Sequence, residues 1–147
     1  MTLTTLHSGD PAAVLAVADD QRWIVACLCA AWCNVCTAYR PAFGALAERH
    51  PDKHFLWIDV EDEAELVGDF DVENFPTLLM QRGDTVAFFG TLPPDAGVAE
   101  RILNSVAAQT DAALATEARS SAERSAWQEQ ANLRRAIIQL QGERHDD

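Results

Sequence analysis

Trp23-Ile24-Val25-Ala26-Cys27-Leu28-Cys29 is an apolar run with almost no polar alternation, and it leads directly into Ala31-Trp32-Cys33-Asn34-Val35-Cys36. A run of this kind suits a central strand covered on both faces, which already demands a sheet with helices packed on either side. The strand is expected over Arg22 to Ala30 and an amphipathic helix over Thr37 to His50. Cysteines separated by two residues can close a disulfide with little chain movement only where the backbone turns, and the first turn of a helix supplies that turn. The strand therefore delivers Cys33 to a helix N-terminus, where unpaired N–H groups and the positive end of the macrodipole favour a thiolate. Cys33 is the expected nucleophile. Cys36, one turn further in, is the expected resolving residue, placed to attack a mixed disulfide formed at Cys33.

The rest of the chain fits one domain with an appendage. At 147 residues it is long enough for one real core and too short for two ordinary ones. The net charge of −12 argues against nucleic acid as a partner, because phosphate binding rests on clustered Lys and Arg. No run approaches the roughly 18 apolar residues of a membrane span. Met1 to Asp10 lacks the basic start and apolar stretch of a secretory signal, so the cytoplasm is the expected location. In a reducing compartment four cysteines point to catalysis, metal binding or burial rather than to structural disulfides.

Asp10-Pro11 reads as an N-cap and first helical position, with Ala12 to Ala18 continuing a short helix. His54 to Val60 is a second apolar strand, and Asp62 to Phe70 a short acidic helix. Thr77 to Gln81 and Thr85 to Phe89 flank Arg82-Gly83-Asp84, a hairpin pattern with glycine in the loop. Pro93-Pro94-Asp95 opens a helix running to about Ala108. The order α-β-α-β-α-β-β-α implies an α/β fold, a mixed sheet with helices on both faces. Residues 1–109 form this domain. Residues 110–147, rich in Ala, Glu, Arg, Gln and Ser with no Gly or Pro until Gly142, read as a helical C-terminal extension capped at Thr110-Asp111. Leu133, Ile137 and Leu140, with Trp127 and Ile138 adjoining, give it an apolar face. That face packs on its own domain or, alternatively, makes a homodimer.

Together these features resemble the thioredoxin family over roughly residues 5–108. Ala31-Trp32-Cys33-x-x-Cys36 is similar to the family's active-site tryptophan and dithiol, and Pro41 falls where the family's active-site helix is kinked. Phe75-Pro76-Thr77 resembles its cis-proline segment, which lies beside the dithiol and pairs with an incoming peptide. Gly90 stands where the family has a glycine that lets substrate approach. The resemblance implies a thioredoxin fold and a thiol-disulfide oxidoreductase acting on protein disulfides, with a reductase as electron donor. Catalysis would rest on Cys33 and Cys36, with Trp32, Phe75, Pro76, Thr77 and Gly90 binding substrate and no bound cofactor required.

The departures are specific. Asn34-Val35 replaces the family's Gly-Pro, so the reduction potential should differ from the family value of about −270 mV. Cys27 occupies the place of a buried aspartate that assists the resolving thiol, Trp57 that of its partner lysine, and Cys29 that of an aromatic residue. Alternation puts Cys27 and Cys29 on one face of the sheet, beneath the dithiol by the resemblance. Packing is the plain role for both. A disulfide between them is disfavoured, since their separation along a strand is about 6.6 Å, near the limit for bridging. Exchange between Cys27 and Cys36, or a four-cysteine metal site, is the sharper alternative. A binding or chaperone-like module with little redox activity is a further alternative. The four histidines show no ligand spacing, and Glu61, Asp62, Glu63 and Glu65 read as a solvated face.

Overall fold

The computed structural model describes residues 3–7, 9–10, 16–17 and 21–145. Its sheet has five strands in the order β1-β3-β2-β4-β5. These are β1 Thr4–Thr5, β2 Trp23–Cys29, β3 His54–Asp59, β4 Thr77–Arg82 and β5 Thr85–Thr91. β1 and β2 run parallel to β3, whereas β4 is antiparallel to β2 and β5 to β4. Every residue of β2 is buried, as an apolar run without alternation requires. Val25, Cys27 and Cys29 face one half of the core, and Ile24, Ala26 and Leu28 face the other.

Helix α1, Asn34–Arg49, follows β2 and runs continuously through Pro41. A short α2, Ala64–Val67, continues into a 3-10 turn at Gly68–Phe70. Glu63, just before α2, is buried, so the acidic run is not wholly a solvated face. Helix α3, Ala96–Ala107, starts where Asp95 accepts a hydrogen bond from the Gly97 N–H at 2.8 Å. The first half of the core lies under α1 and α3, with Tyr39, Phe43, Leu46, Ala99 and Leu103 packed on the sheet. Arg49 and His50 at the end of α1 both reach Glu100 of α3. The helix expected over Asp10 to Ala18 falls mostly outside the described residues.

The C-terminal extension is three helices rather than one: α4 Asp111–Glu117, α5 Ala122–Gln130 and α6 Leu133–His145. Thr110 caps α4 as expected, accepting from the Ala113 N–H. Two breaks that composition hid are made by polar side chains. Ser121 accepts from the Arg124 N–H to start α5, and Asn132 accepts from the Arg135 N–H to start α6. Both are ordinary N-caps, which start a new helix without any Gly or Pro in the break.

The extension completes the domain. Ala131, Leu133, Ile137 and Leu140 are buried against Ile24, Ala26, Leu56 and Leu79, filling the second half of the core together with Leu66, Val67 and Phe70. The apolar face considered for a homodimer is therefore consumed within the chain, and of that stripe Ile138 alone is largely exposed, at 42%. On the outer edge of the sheet the Gln128 amide mimics a strand: its Nε2 donates to the Val86 carbonyl and its Oε1 accepts from the Val86 N–H, both at 2.8 Å. Trp127 packs edge-on against Phe88 beside it. Such cover blunts an edge that would otherwise invite pairing with another chain.

A buried amide pair locks α6 to the sheet. Gln81 of β4 donates to Asn132 Oδ1 at 2.6 Å and accepts from the Leu133 N–H at 2.9 Å. Among the described residues, no helix is long and apolar enough to cross a membrane. Asn132→Ala removes both the cap of α6 and a partner of fully buried Gln81, so we expect a loss of about 2 kcal/mol. Urea unfolding checks this; an unchanged midpoint would show that the lock carries no stability.

Candidate functional site

The turn from β2 into α1 sets Cys33 as the N-cap of a 16-residue helix, and the Cys33 side chain makes no capping hydrogen bond. Its carbonyl accepts from both the N–H and the hydroxyl of Thr37. The N–H groups of the first turn therefore receive no acceptor from the Cys33 side chain. Cys33 is a free, partly exposed thiol, whereas Cys36, third in the helix, is buried.

Asp59 at the end of β3 holds this turn in place. One carboxylate oxygen accepts from the Ala31 N–H at 2.9 Å, and the other accepts from the N–H groups of Glu61 and Asp62 at 2.8 and 3.0 Å. Nothing in the sequence pattern singled Asp59 out; only the parallel pairing of β2 with β3, with Cys29 opposite Asp59, brings it to the loop.

The second wall comes from the loop before β4. The Phe75–Pro76 peptide is cis. The Phe75 ring meets Trp32 edge-on with centroids 5.6 Å apart, so the two segments singled out by motif lie side by side. Trp32 is 68% exposed and Val35 44%, giving an apolar rim around Cys33. Thr77 is buried, its hydroxyl turned inward to the Asn74 carbonyl and Thr91. Gly90 lies within β5 opposite Leu78, and a Cβ there would meet only the Phe88 ring at an ordinary 3.5 Å. The chain's own packing therefore does not require glycine at that position.

The sulfur pairing is the main surprise. Cys36 is joined by a disulfide to Cys29, not to Cys33, with Cα atoms 5.9 Å apart. Cys27 remains a thiol, its sulfur 3.5 Å from that of Cys29. Alternation had placed Cys27 and Cys29 on the correct face, and of the two it is Cys29, the last residue of β2, that meets Cys36 of α1. This pairing ties up two of the four sulfurs of the alternative metal site. Among the described residues, no group of three or more His, Cys, Asp or Glu is arranged to hold a metal ion.

Behind the sulfurs the environment is apolar. Burial pushes the Cys27 thiol well above its ordinary range, opposed in part by Arg40. Trp57, paired in register with Cys27, carries the Arg40 guanidinium over its ring at 4.9 Å. Tyr39, 2% exposed, is likewise pushed up by burial, then by Cys27 and Asp95. Its hydroxyl has no hydrogen-bond partner among the described residues.

Two outcomes follow from these contacts. Asp59→Ala deprives three N–H groups of a charged acceptor and should cost about 2–3 kcal/mol, with Asp59→Asn losing less. Chemical denaturation of the two variants measures the difference, and equal losses would deny the charged carboxylate a special part. Tyr39→Phe deletes a buried, unpaired hydroxyl and should raise stability by about 1 kcal/mol. A lowered unfolding midpoint would mean that the hydroxyl is satisfied in solution.

Comparison with known proteins agrees with the fold. The thioredoxin family model matches residues 12–102. A thioredoxin H-type from Brassica campestris is 33% identical over 69 residues, 47% of this chain and 56% of that protein. Thioredoxin H2-1 of rice is 32% identical over 90 residues, 52% of this chain and 65% of that protein. The chain thus spans little more than half the length of the curated relatives it matches. Among solved structures, a poplar thioredoxin h superposes with a TM-score of 0.63 at 16% identity, covering 74% of this chain and 98% of that one. A thioredoxin f2, determined in complex with ferredoxin:thioredoxin reductase, superposes at 0.62 and 17% identity, covering 73% of this chain and 96% of its own.

Proposed function

This chain belongs to the thioredoxin family, and we propose that it exchanges a Cys33–Cys36 dithiol with disulfides of protein substrates. The observation that carries this reading is the placement of Cys33: a partly exposed free thiol, N-capping a long helix, beside exposed Trp32 and the cis peptide at Pro76. The Cys33 thiolate attacks one sulfur of a substrate disulfide, and the other substrate sulfur leaves as a thiol. Cys36 then attacks the Cys33 sulfur of the mixed disulfide, forming Cys33–Cys36 and releasing the second substrate thiol. A dithiol reductant, supplied by a reductase, returns the two electrons.

The rim suits an extended peptide. Trp32, Val35 and Phe75 offer apolar contact, and the backbone of Phe75, just before the cis peptide, is where an extended strand can pair, since the Pro76 carbonyl is taken by the Leu92 N–H and Thr77 is paired on both sides within the sheet. Gly90 keeps the opposite side low, which fits an external rather than an internal reason for glycine. Because Cys27 stays protonated where relatives have a carboxylate, no side chain at that position withdraws a proton from Cys36. Resolution should therefore be slower than attack. The reductase known to dock the f2 neighbour supports a partner of that class, and the charge of −12 favours a basic docking face. On this reading the setting is a reducing compartment such as the cytoplasm.

Reduction of insulin disulfides by dithiothreitol tests the proposal. Cys33→Ser should bring the rate down to the uncatalysed background, and a variant as fast as the native protein would reject this dithiol as the catalyst.

A further inference from the structure

Resting on the dithiol reading above, we propose that Cys29 is a third redox residue, so that Cys36 shuttles between a surface partner, Cys33, and an internal partner, Cys29. Of the four cysteines, all among the described residues, Cys36 alone is placed for both. It stands three residues after Cys33 on the first turn of α1, the spacing that puts two side chains on one helix face. It is also bonded across the strand–helix interface to Cys29, at a Cα separation ordinary for a disulfide.

The exchange is isoelectronic. When a substrate disulfide has oxidised the surface pair to Cys33–Cys36, the Cys29 thiolate attacks the Cys36 sulfur. The Cys29–Cys36 bond forms, the Cys33–Cys36 bond breaks, and Cys33 leaves with the electron pair and takes up the proton that Cys29 lost. The reverse step returns the disulfide to the surface. Cys27 is the positioning residue for this step: its thiol, kept protonated by burial, lies 3.5 Å from the Cys29 sulfur and can donate to it while that sulfur is anionic.

The consequence is a change in chemistry at the surface. With the disulfide inside, both its cysteines are 1% exposed, and Cys33 is a lone accessible thiol. It can still attack a client disulfide. The mixed disulfide then lacks a resolving thiol, because Cys36 is engaged, and the client stays attached until the inner bond opens. The same chain would turn over substrates when fully reduced and retain a client when the inner disulfide is closed.

Disulfide mapping of the full-length native protein decides the matter. The reduced protein is mixed with one equivalent of a small disulfide, quenched at intervals with an alkylating reagent and cleaved with chymotrypsin, which cuts after Trp32. A Cys33–Cys36 bond lies within one fragment, whereas Cys29–Cys36 links two. We expect the one-fragment bond first, then its conversion into the linked pair with Cys33 alkylated, the linked form ending in about tenfold excess. A mixture that never leaves Cys33–Cys36, or linked fragments present at a constant proportion from the first quench, overturns the relay. A second readout is the lifetime of the mixed disulfide formed at Cys33 with a disulfide peptide: native protein with Cys29–Cys36 closed should hold the peptide, whereas reduced Cys29→Ala, with Cys36 free to resolve, should release it about tenfold faster. An unshortened lifetime overturns the client-holding state. Insulin reduction by the same samples separates the two ideas: a relay that fails while Cys33→Ser is inactive leaves the dithiol reading intact.

Discussion

Burial of β2 on both faces is the constraint from which the remaining structure follows. A strand with no polar side can exist only where helices cover both sheet faces, and its hydrogen-bonding edges must both be paired. β3 on one side and β4 on the other supply the pairing, while α1 and α3 cover one face and α2 and α6 the other. The same enclosure fixes where β2 can end. Its last residue emerges between the sheet and α1, so the following turn, with Cys33 at its tip, is the first point at which the chain reaches solvent.

That exit is stiffened by neighbours distant in sequence. Asp59 holds the Ala31 N–H, Phe75 holds the Trp32 ring, and the cis peptide at Pro76 shapes the facing loop. A thiol that must meet a partner sulfur in line benefits from such fixed surroundings, since disorder in the loop would lower the fraction of productive encounters. Acidic charge elsewhere on the chain acts on encounter and leaves the sulfur geometry untouched.

The C-terminal helices show how a thioredoxin framework can absorb additional chain. α6 supplies side chains that bury Ile24, Ala26 and Leu79, α5 covers the edge of β5, and the Gln81–Asn132 pair fixes their register on the sheet. A buried amide pair contributes modestly when complete and is costly to halve, so it specifies position more than it adds stability. The extension is therefore a structural part of the domain: α6 lies behind the sheet from the sulfur-bearing face, while Leu114 of α4 joins the core on the same side as the sulfurs.

Composition and period alone determined the α/β class, the strand–turn–helix junction, the β4–β5 hairpin and the strand faces occupied by Cys27 and Cys29. These are local properties: apolar run length, alternation and turn chemistry act over a few residues and survive without knowledge of the rest. The helix breaks at Ser121 and Asn132 were also local, yet their caps were masked by an alanine-rich background in which a serine reads as one more polar residue. Tertiary structure decided what depends on distance across the fold. Asp59 reaches Ala31 only through parallel pairing, Thr77 turns inward because β4 is a central strand, and the apolar stripe of α6 finds its partner in the same chain. The choice of Cys29 over Cys33 as the neighbour of Cys36 belongs here too, because sulfur pairing depends on how closely the end of a strand approaches the helix packed upon it, and no spacing along the chain encodes that approach.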